Sequence, residues 1–257
     1  GARHTPAGGN ARQRTGELSD HGRCAPCRAC EAVGCPGAVD SRSGGPQLLE
    51  GLRPDVIHIS SVASDDANAM LRRCADKAAV ACRFAQVSAS CGGVTNAYDD
   101  PLTLGVDRWL AMIAAKRRVS GDLVIADIGT ALTIDVLAAD GVHQGGYILP
   151  GRRLMRESLL GGTGRIQFDE IREPSIDLGN NTASCVENAS WLAAVSVISG
   201  VARRIKQADR QVSVVVTGGD AQAALQVAGV DGGSWVYVED LVLDGLSLVL
   251  GREGLNS

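Results

Sequence analysis

Two short segments place an acidic residue beside glycine in the way that phosphate-binding turns do. The tetrapeptide DIGT (127–130) and the tetrapeptide TGGD (217–220) each follow an apolar run that reads as a strand. Because glycine has no Cβ, a phosphate can approach the N–H groups of such turns, and the Thr130 hydroxyl can donate to it. Asp127 is suited to hold a cation.

Each of these turns also has an ordinary structural interpretation. The DIGT segment alone is more typical of a hairpin turn without a ligand, and the TGGD segment fits a plain strand–helix connection equally well. Two glycine turns at strand ends in one chain favour a nucleotide-binding cleft, with Gly129, Gly218 and Gly219 lining it.

A third segment, GVDRW (105–109), precedes a predicted helix. In one interpretation Asp107 is a general base that takes a proton from a substrate hydroxyl, and Arg108 contacts a substrate anion or the transferring phosphoryl group. In the other, Asp107 caps the helix and pairs with Arg108 on the surface. The sequence contains neither a P-loop nor a G-x-S-x-G motif. Its four histidines do not cluster and read as structural or solvated: His4, His21, His58 and His143.

The elements that must position these residues form a mixed pattern. Strands are predicted at 122–127, 132–137 and 142–149, joined by two short turns, with a further strand at 211–216. Helices are predicted at 64–81, 107–119, 152–160 and 187–207, and from about residue 240. This order predicts an α/β fold of mixed sheets with flanking helices, built as two ribonuclease-H-like lobes of the actin/hexokinase/acetate-kinase type.

Composition predicts three segments. Residues 1–47 contain no aromatic residue and no Ile, and are predicted to be disordered or misread; residues 48–118 complete an N-terminal lobe, and 119–257 form a C-terminal lobe. The net charge of −4 gives no general attraction to nucleic acid or to an anionic membrane. The absence of a long apolar run or an apolar leader leads us to expect a cytoplasmic protein.

Together the motifs resemble those of the type III pantothenate kinases. Five blocks are collinear with that family: TNAY with LGVDRW (95–109), DIGTALTID (127–135), GGYILPG with Leu154 and Met155 (145–155), Asn181-Thr182, and TGGD (217–220). The spacing is collinear with the family from about residue 48 to the C-terminus, roughly four-fifths of the chain. Because the five blocks occur in order, the resemblance is specific.

The resemblance implies ATP-dependent phosphorylation of pantothenate, the first step of coenzyme A synthesis. It implies that Asp107 is the proton acceptor, that Thr130 contacts ATP, and that Asp127 holds a monovalent cation, potassium or ammonium. It also implies that a divalent ion, Mg²⁺, accompanies ATP. It further implies a homodimer in which the two chains share the substrate pocket. The residues implied to contact pantothenate are Tyr98, Gly105, Val106, Asp107, Arg108 and Thr182.

One departure concerns the family's first phosphate loop, D-x-G-N-S with a later lysine. Only Gly9 and Asn10 echo it here; Ala7 stands at the acidic position and no apolar strand precedes it. One explanation is a shifted reading frame in a GC-rich gene. The other is an acquired metal segment, because four cysteines have a spacing that resembles an iron–sulfur run or a zinc site: Cys24, Cys27, Cys30 and Cys35.

Two further functions follow from this departure. The first is a non-catalytic accessory or regulatory relative that binds pantothenate or nucleotide without turnover. The second is an iron–sulfur or zinc protein built on residues 24–35. Intact blocks at 105–109 and 127–135 favour the kinase over both.

Overall fold

The computed structural model describes residues 54–162, 173–206, 212–229 and 235–251. The predicted N-terminal segment 1–47, with Gly9, Asn10 and the four closely spaced cysteines, lies outside these ranges. The described elements, in chain order, are β1 (Val56–Ile59), α1 (Asp65–Lys77), β2 (Ala81–Phe84), β3 (Ser90–Cys91), β4 (Val94–Thr95), a 3₁₀ turn (Pro101–Thr103), α2 (Val106–Arg118), β5 (Asp122–Ile128), β6 (Ala131–Leu137), β7 (His143–Pro150), α3 (Arg152–Gly162), α4 (Thr182–Ile205), β8 (Val212–Thr217), α5 (Ala221–Ala228), β9 (Trp235–Tyr237) and α6 (Leu241–Leu250).

The largest sheet has five strands in the order β7-β6-β5-β8-β9. Strands β5, β6 and β7 run antiparallel through short turns, whereas β8 and β9 are parallel to β5. This is the ribonuclease-H-like order expected from the sequence. In the register of β5, Asp127 lies opposite both Thr133 of β6 and Thr217 of β8. Both glycine turns therefore leave the sheet at the same edge.

Helices cover both faces of this sheet. On one face, Leu123 and Ile125 pack in a core with α2 and α6. On the other, Val124 and Ala126 pack in a second core with α4 and α5. A strand that is buried on both sides needs apolar residues at successive positions, which explains the continuous apolar run in β5.

A second, smaller sheet lies within the segment assigned to the N-terminal lobe. Strands β1 and β2 are parallel and are joined by α1, as β8 and β9 are joined by α5. The short hairpin β3–β4 reaches the larger sheet, because Thr95 forms a bridge to Val142 and its N–H donates to the Gly141 carbonyl at 2.9 Å.

Helix boundaries differ from the predictions at two informative places. Helix α4 begins at Thr182, five residues before the predicted start, because Asn181 and Ser184 form a reciprocal capping box. Helix α2 has Gly105 as its N-cap, so the alternative interpretation of Asp107 as the capping residue is wrong. The Asp107 carboxylate instead accepts from the N–H of Arg108 at 2.8 Å.

Within the described ranges, α4 is the one helix whose length and composition would allow it to cross a membrane. Such helices also occur in the cores of soluble proteins. Here Trp191, Ala194, Ile198 and Val201 of α4 are buried in the core against the five-stranded sheet. The helix therefore has a packing explanation for its apolar face.

The packing of α2 on α6 depends on a close backbone approach. A Cβ on Gly245 of α6 would lie 2.1 Å from the carbonyl oxygen of Leu110 in α2. A backbone atom cannot rotate away as a side chain can, so any larger residue would push the two helices apart. In contrast, a Cβ on Gly200 of α4 would meet nothing within 4 Å.

We therefore predict opposite effects for two identical substitutions. Gly245→Ala is expected to lower the free energy of unfolding by about 1–3 kcal/mol through overpacking. Gly200→Ala is expected to leave it unchanged or raise it by up to about 1 kcal/mol, since alanine is the better helix former. Urea unfolding followed by circular dichroism measures both, and equal effects would contradict the packing argument.

Candidate active site

The two glycine turns pack directly against each other at the end of β5. The N–H of Asp220 donates to the carbonyl of Ile128 at 2.9 Å. Gly218 has a φ of +95°, and a Cβ there would lie 2.4 Å from Asp127 Oδ1. Only glycine fits this position, so the TGGD turn closes over the Asp127 carboxylate. The Gly151 N–H, which precedes α3, donates to the Thr130 carbonyl at 2.9 Å and fixes the DIGT turn from the other side.

Asp127 and Asp107 converge on this edge from different elements. Burial, and to a lesser extent the negative charge of Asp107, raise the pKa of Asp127 to about 6. That electrostatic effect requires the two carboxylates to be close. The first turn of α2 therefore faces the DIGT and TGGD turns. A general base that acts on a hydroxyl beside a bound phosphate requires this arrangement.

Arg108 points into the protein rather than to the surface. Its guanidinium makes a bidentate pair with Asp135 of β6, with Nε–Oδ2 at 2.9 Å and Nη2–Oδ1 at 2.6 Å. Both side chains are buried. Burial opposes the charged guanidinium, but the hydrogen bonds and charge of Asp135 outweigh it and raise the pKa of Arg108. The alternative of a surface ion pair between Asp107 and Arg108 is wrong.

Two further residues complete this buried group. Arg108 Nη1 donates to the Tyr98 hydroxyl at 2.8 Å, and His143 Nε2 lies 2.9 Å from Asp135 Oδ1. The Tyr98 and His143 rings stack with centroids 6.1 Å apart. We call Tyr98, Arg108, Asp135 and His143 the buried polar cluster.

The sequence around the cluster explains how its members are held. A Cβ on Gly146 would lie 2.8 Å from Arg108 Nη2 and 2.7 Å from Asp135 Oδ1, so glycine at this position of β7 lets the ion pair lie against the strand. Tyr98 is held by its loop, because its N–H donates to Asn96 Oδ1 at 3.0 Å.

Most of the predicted site residues meet at one edge of the larger sheet. The first group was predicted to contact the substrate and the second to contact the nucleotide and its cation: Tyr98, Gly105, Val106, Asp107 and Arg108, then Asp127, Gly129, Thr130, Gly218 and Gly219. Thr182 lies exposed in the first turn of α4. Among the described residues no hydrogen bond joins Thr182 to the buried polar cluster.

Sequence reasoning did not assign Asp135 or His143 to the site. Asp135 belongs to the DIGTALTID block. A carboxylate in a strand with buried neighbours indicates a buried Arg, Lys or His partner, so this signal could have been used. His143 gave no such signal. The prediction that it is structural or solvated rests on the lack of clustering among the four histidines, whereas its partner Asp135 lies eight positions away on a neighbouring strand.

The residues at the sheet edge fit a cation at Asp127. This half-buried carboxylate has no hydrogen-bond donor within the described residues, and its raised pKa reports an uncompensated charge. A bound cation would supply that compensation. No group of three or more His, Cys, Asp or Glu side chains suited to a metal occurs in the described ranges. Further ligands would therefore come from backbone oxygens, water or phosphate.

A second set of charges lies beside the TGGD turn. Arg152 at the start of α3 bonds to the buried Glu187 of α4 at 2.5 Å and lies 3.6 Å from Asp220. Its guanidinium also stacks over the Trp191 ring at 4.9 Å. This group ties α3, α4 and the TGGD turn together.

Comparison with solved structures supports the fold. A crystal structure from Campylobacter jejuni, described as a conserved Baf family transcriptional activator, superposes with a TM-score of 0.54 over 81% of this chain and 88% of that one, at 20% identity. The predicted α/β architecture with mixed sheets and flanking helices is thereby confirmed.

Sequence comparison gives a closer relationship. The chain is 39% identical to a type III pantothenate kinase from Hahella chejuensis over 67% of this chain and 69% of that one. It is 40% identical to one from Marinomonas sp. over 69% and 72% of the two chains. A family model described as type III pantothenate kinase matches residues 45–204. With the motif order, the site geometry and these similarities in agreement, the chain belongs to the type III pantothenate kinase family.

Proposed function

We propose that this protein transfers the γ-phosphoryl group of ATP to the primary hydroxyl of pantothenate, the first step of coenzyme A synthesis. Family membership supports the reaction class. The observation that carries the proposal is the convergence of Asp107 with Asp127 beside two glycine turns. A candidate base thus lies next to a surface suited to phosphate.

The assigned roles follow the chemistry of phosphoryl transfer. Asp107 accepts the proton of the pantothenate hydroxyl as that oxygen bonds to the γ-phosphorus. The bond from phosphorus to the β–γ bridging oxygen breaks, and ADP leaves. Such transfer needs little covalent help from the protein, so positioning and charge compensation dominate.

The substrate side is formed by the start of α2 and the loop at Tyr98. Pantothenate carries a carboxylate and an amide, and the net charge of −4 offers it no general attraction. Local groups must therefore hold it. Tyr98 and Arg108, with the backbone at Gly105 and Val106, supply donors of the required kind.

The nucleotide side is formed by Gly129, Thr130, Gly218 and Gly219. Exposed Thr130 has a hydroxyl available to a phosphate oxygen, and the glycines permit close backbone approach. Asp127 would hold a monovalent cation, potassium or ammonium, and Mg²⁺ would accompany ATP. These ions would compensate the phosphate charge.

We further propose that the protein acts in the cytoplasm as a homodimer. Tyr147 and Ile148 on β7 and Leu154 on α3 are large apolar side chains that are 46%, 64% and 37% exposed. A second copy covering this surface would bury them. A shared pocket would also give a role to Thr182, which lacks a hydrogen bond to the buried polar cluster of its own chain.

The accessory alternative, binding without turnover, is favoured by one observation. The family's first phosphate loop has only Gly9 and Asn10 as counterparts in the sequence. A chain that lacked half of its phosphate contacts would bind pantothenate yet transfer no phosphoryl group. Turnover distinguishes the two functions.

Asp107→Asn is expected to lower kcat at least 100-fold, because the amide cannot accept the hydroxyl proton. The assay couples ADP release to pantothenate addition. Asp66→Asn on the exposed surface of α1 makes the same charge change and is expected to retain full activity. Pantothenate binding without ADP release in the unmodified protein would establish the accessory function instead.

The raised pKa of Asp127 predicts a pH-dependent stability. A carboxyl whose folded pKa of about 6 exceeds its unfolded value contributes stability below about pH 4 that is lost as the pH rises through 6. Between pH 4 and 7, without nucleotide or potassium, the free energy of unfolding should fall by about 1–2 kcal/mol more than in Asp127→Asn.

Potassium and Mg-ATP should recover that loss in the unmodified protein and not in Asp127→Asn, because the cation supplies the missing charge. Urea unfolding across the pH range measures both effects. Parallel pH profiles for the two proteins would show that the Asp127 charge is compensated without a cation.

A further inference from the structure

The buried polar cluster fixes the direction of every hydrogen bond that it contains. A guanidinium has only donors, so Arg108 Nη1 must donate and the Tyr98 oxygen must accept. The Tyr98 hydroxyl proton is therefore not used by Arg108. It is available to an acceptor outside the cluster, and half-buried Tyr98 lies where the cluster meets the surface.

The other end of the cluster is also constrained. Asp135 accepts two bonds from Arg108, and a third contact, from His143 Nε2, reaches its Oδ1 atom at 2.9 Å. An ionised carboxylate only accepts, so Nε2 carries the proton. His143 Nδ1 is buried and has no hydrogen-bond partner among the described residues. The imidazole therefore makes one polar contact there, and that contact holds Asp135.

These contacts form a chain from the core to the substrate surface. His143 orients Asp135, Asp135 holds both nitrogens of the Arg108 fork, and Arg108 occupies the Tyr98 oxygen. Gly146 lets the chain lie against β7, and the stacked Tyr98 and His143 rings connect its two ends. Every link lies within hydrogen-bond distance or ring contact.

We propose that His143 and Asp135 are positioning residues that orient Tyr98 as a hydrogen-bond donor to an oxygen acceptor on the substrate, either its carboxylate or its amide carbonyl. This inference rests on the proposed function. Since the contact exists before and during phosphoryl transfer, its loss should weaken substrate binding without slowing the chemical step.

The test compares two substitutions at one position. His143→Leu has a similar volume and no N–H, so it should raise KM for pantothenate about tenfold and leave kcat within threefold. His143→Gln can place its amide N–H near Asp135 Oδ1 and should restore most of the lost affinity. A fall in kcat at unchanged KM, or equal KM values for His143→Leu and the unmodified protein, would overturn the proposal.

Tyr98→Phe removes the donated proton and leaves the buried ion pair in place, so it should raise KM for pantothenate as much as His143→Leu does. In the double variant the two effects should not add, because both act through one hydrogen bond. Additive effects would show that His143 acts independently of Tyr98. An unchanged KM in Tyr98→Phe alone would refute the donor role, whether or not His143→Leu folds.

Calorimetric titration of the same variants with pantothenate separates this inference from the proposed function. If the unmodified protein binds pantothenate but releases no ADP, the phosphotransferase proposal fails. The positioning role is still tested by the dissociation constants, with the same expected tenfold weakening, recovery in His143→Gln and non-additivity.

Discussion

The arrangement of the site depends on the buried ion pair between Arg108 and Asp135. Arg108 belongs to the first turn of α2 and Asp135 to the middle of β6, so the pair fixes the helix that carries Asp107 against the sheet that carries Asp127. Removing one partner of such a pair leaves an uncompensated charge and typically costs about 3–5 kcal/mol. Its value here is geometric, because the bidentate fork sets the rotation of α2 and hence the position of Asp107.

Placement of the two acidic residues supports the proposal that one sheet edge serves both substrates. Asp127 ends β5 and lies under the TGGD turn, whereas Asp107 approaches from α2. Their mutual repulsion is unfavourable in the absence of cations and becomes useful when positive charge and phosphate occupy the space between them. A site that is electrostatically incomplete by itself is suited to binding a nucleotide together with its ions.

Much of the larger sheet could be predicted from the sequence. The apolar run of β5, the alternation in β6 and the Asp-Gly turn before β7 define three neighbouring strands, and the motifs at their ends locate the site. The short strands β2, β3, β4 and β9 carried too few residues to show a period. The early start of α4 depends on a capping box at Asn181 that has no apolar pattern.

The buried polar cluster shows why the rest of the site could not be predicted. Asp135 contacts Arg108 and His143 contacts Asp135, and only the register of the strands brings His143 and Asp135 together. The residues next to each of them in the sequence do not indicate which residue is its partner. The same holds for Gly146, which looks like an ordinary strand glycine until the Arg108 side chain is seen against it. Sequence spacing therefore identifies the residues that would contact a ligand more readily than the residues that hold them in position.

The hydrogen bond from Gly151 to the Thr130 carbonyl has a mechanical consequence. It joins the DIGT turn to the first residue before α3, and α3 carries the exposed Leu154. The turn and the beginning of that helix are therefore held as one unit that tolerates no side chain at the junction. A Cβ on Gly151 would lie 2.0 Å from the Gly129 carbonyl oxygen and 2.5 Å from that of Thr130, so any larger residue would separate the helix from the turn.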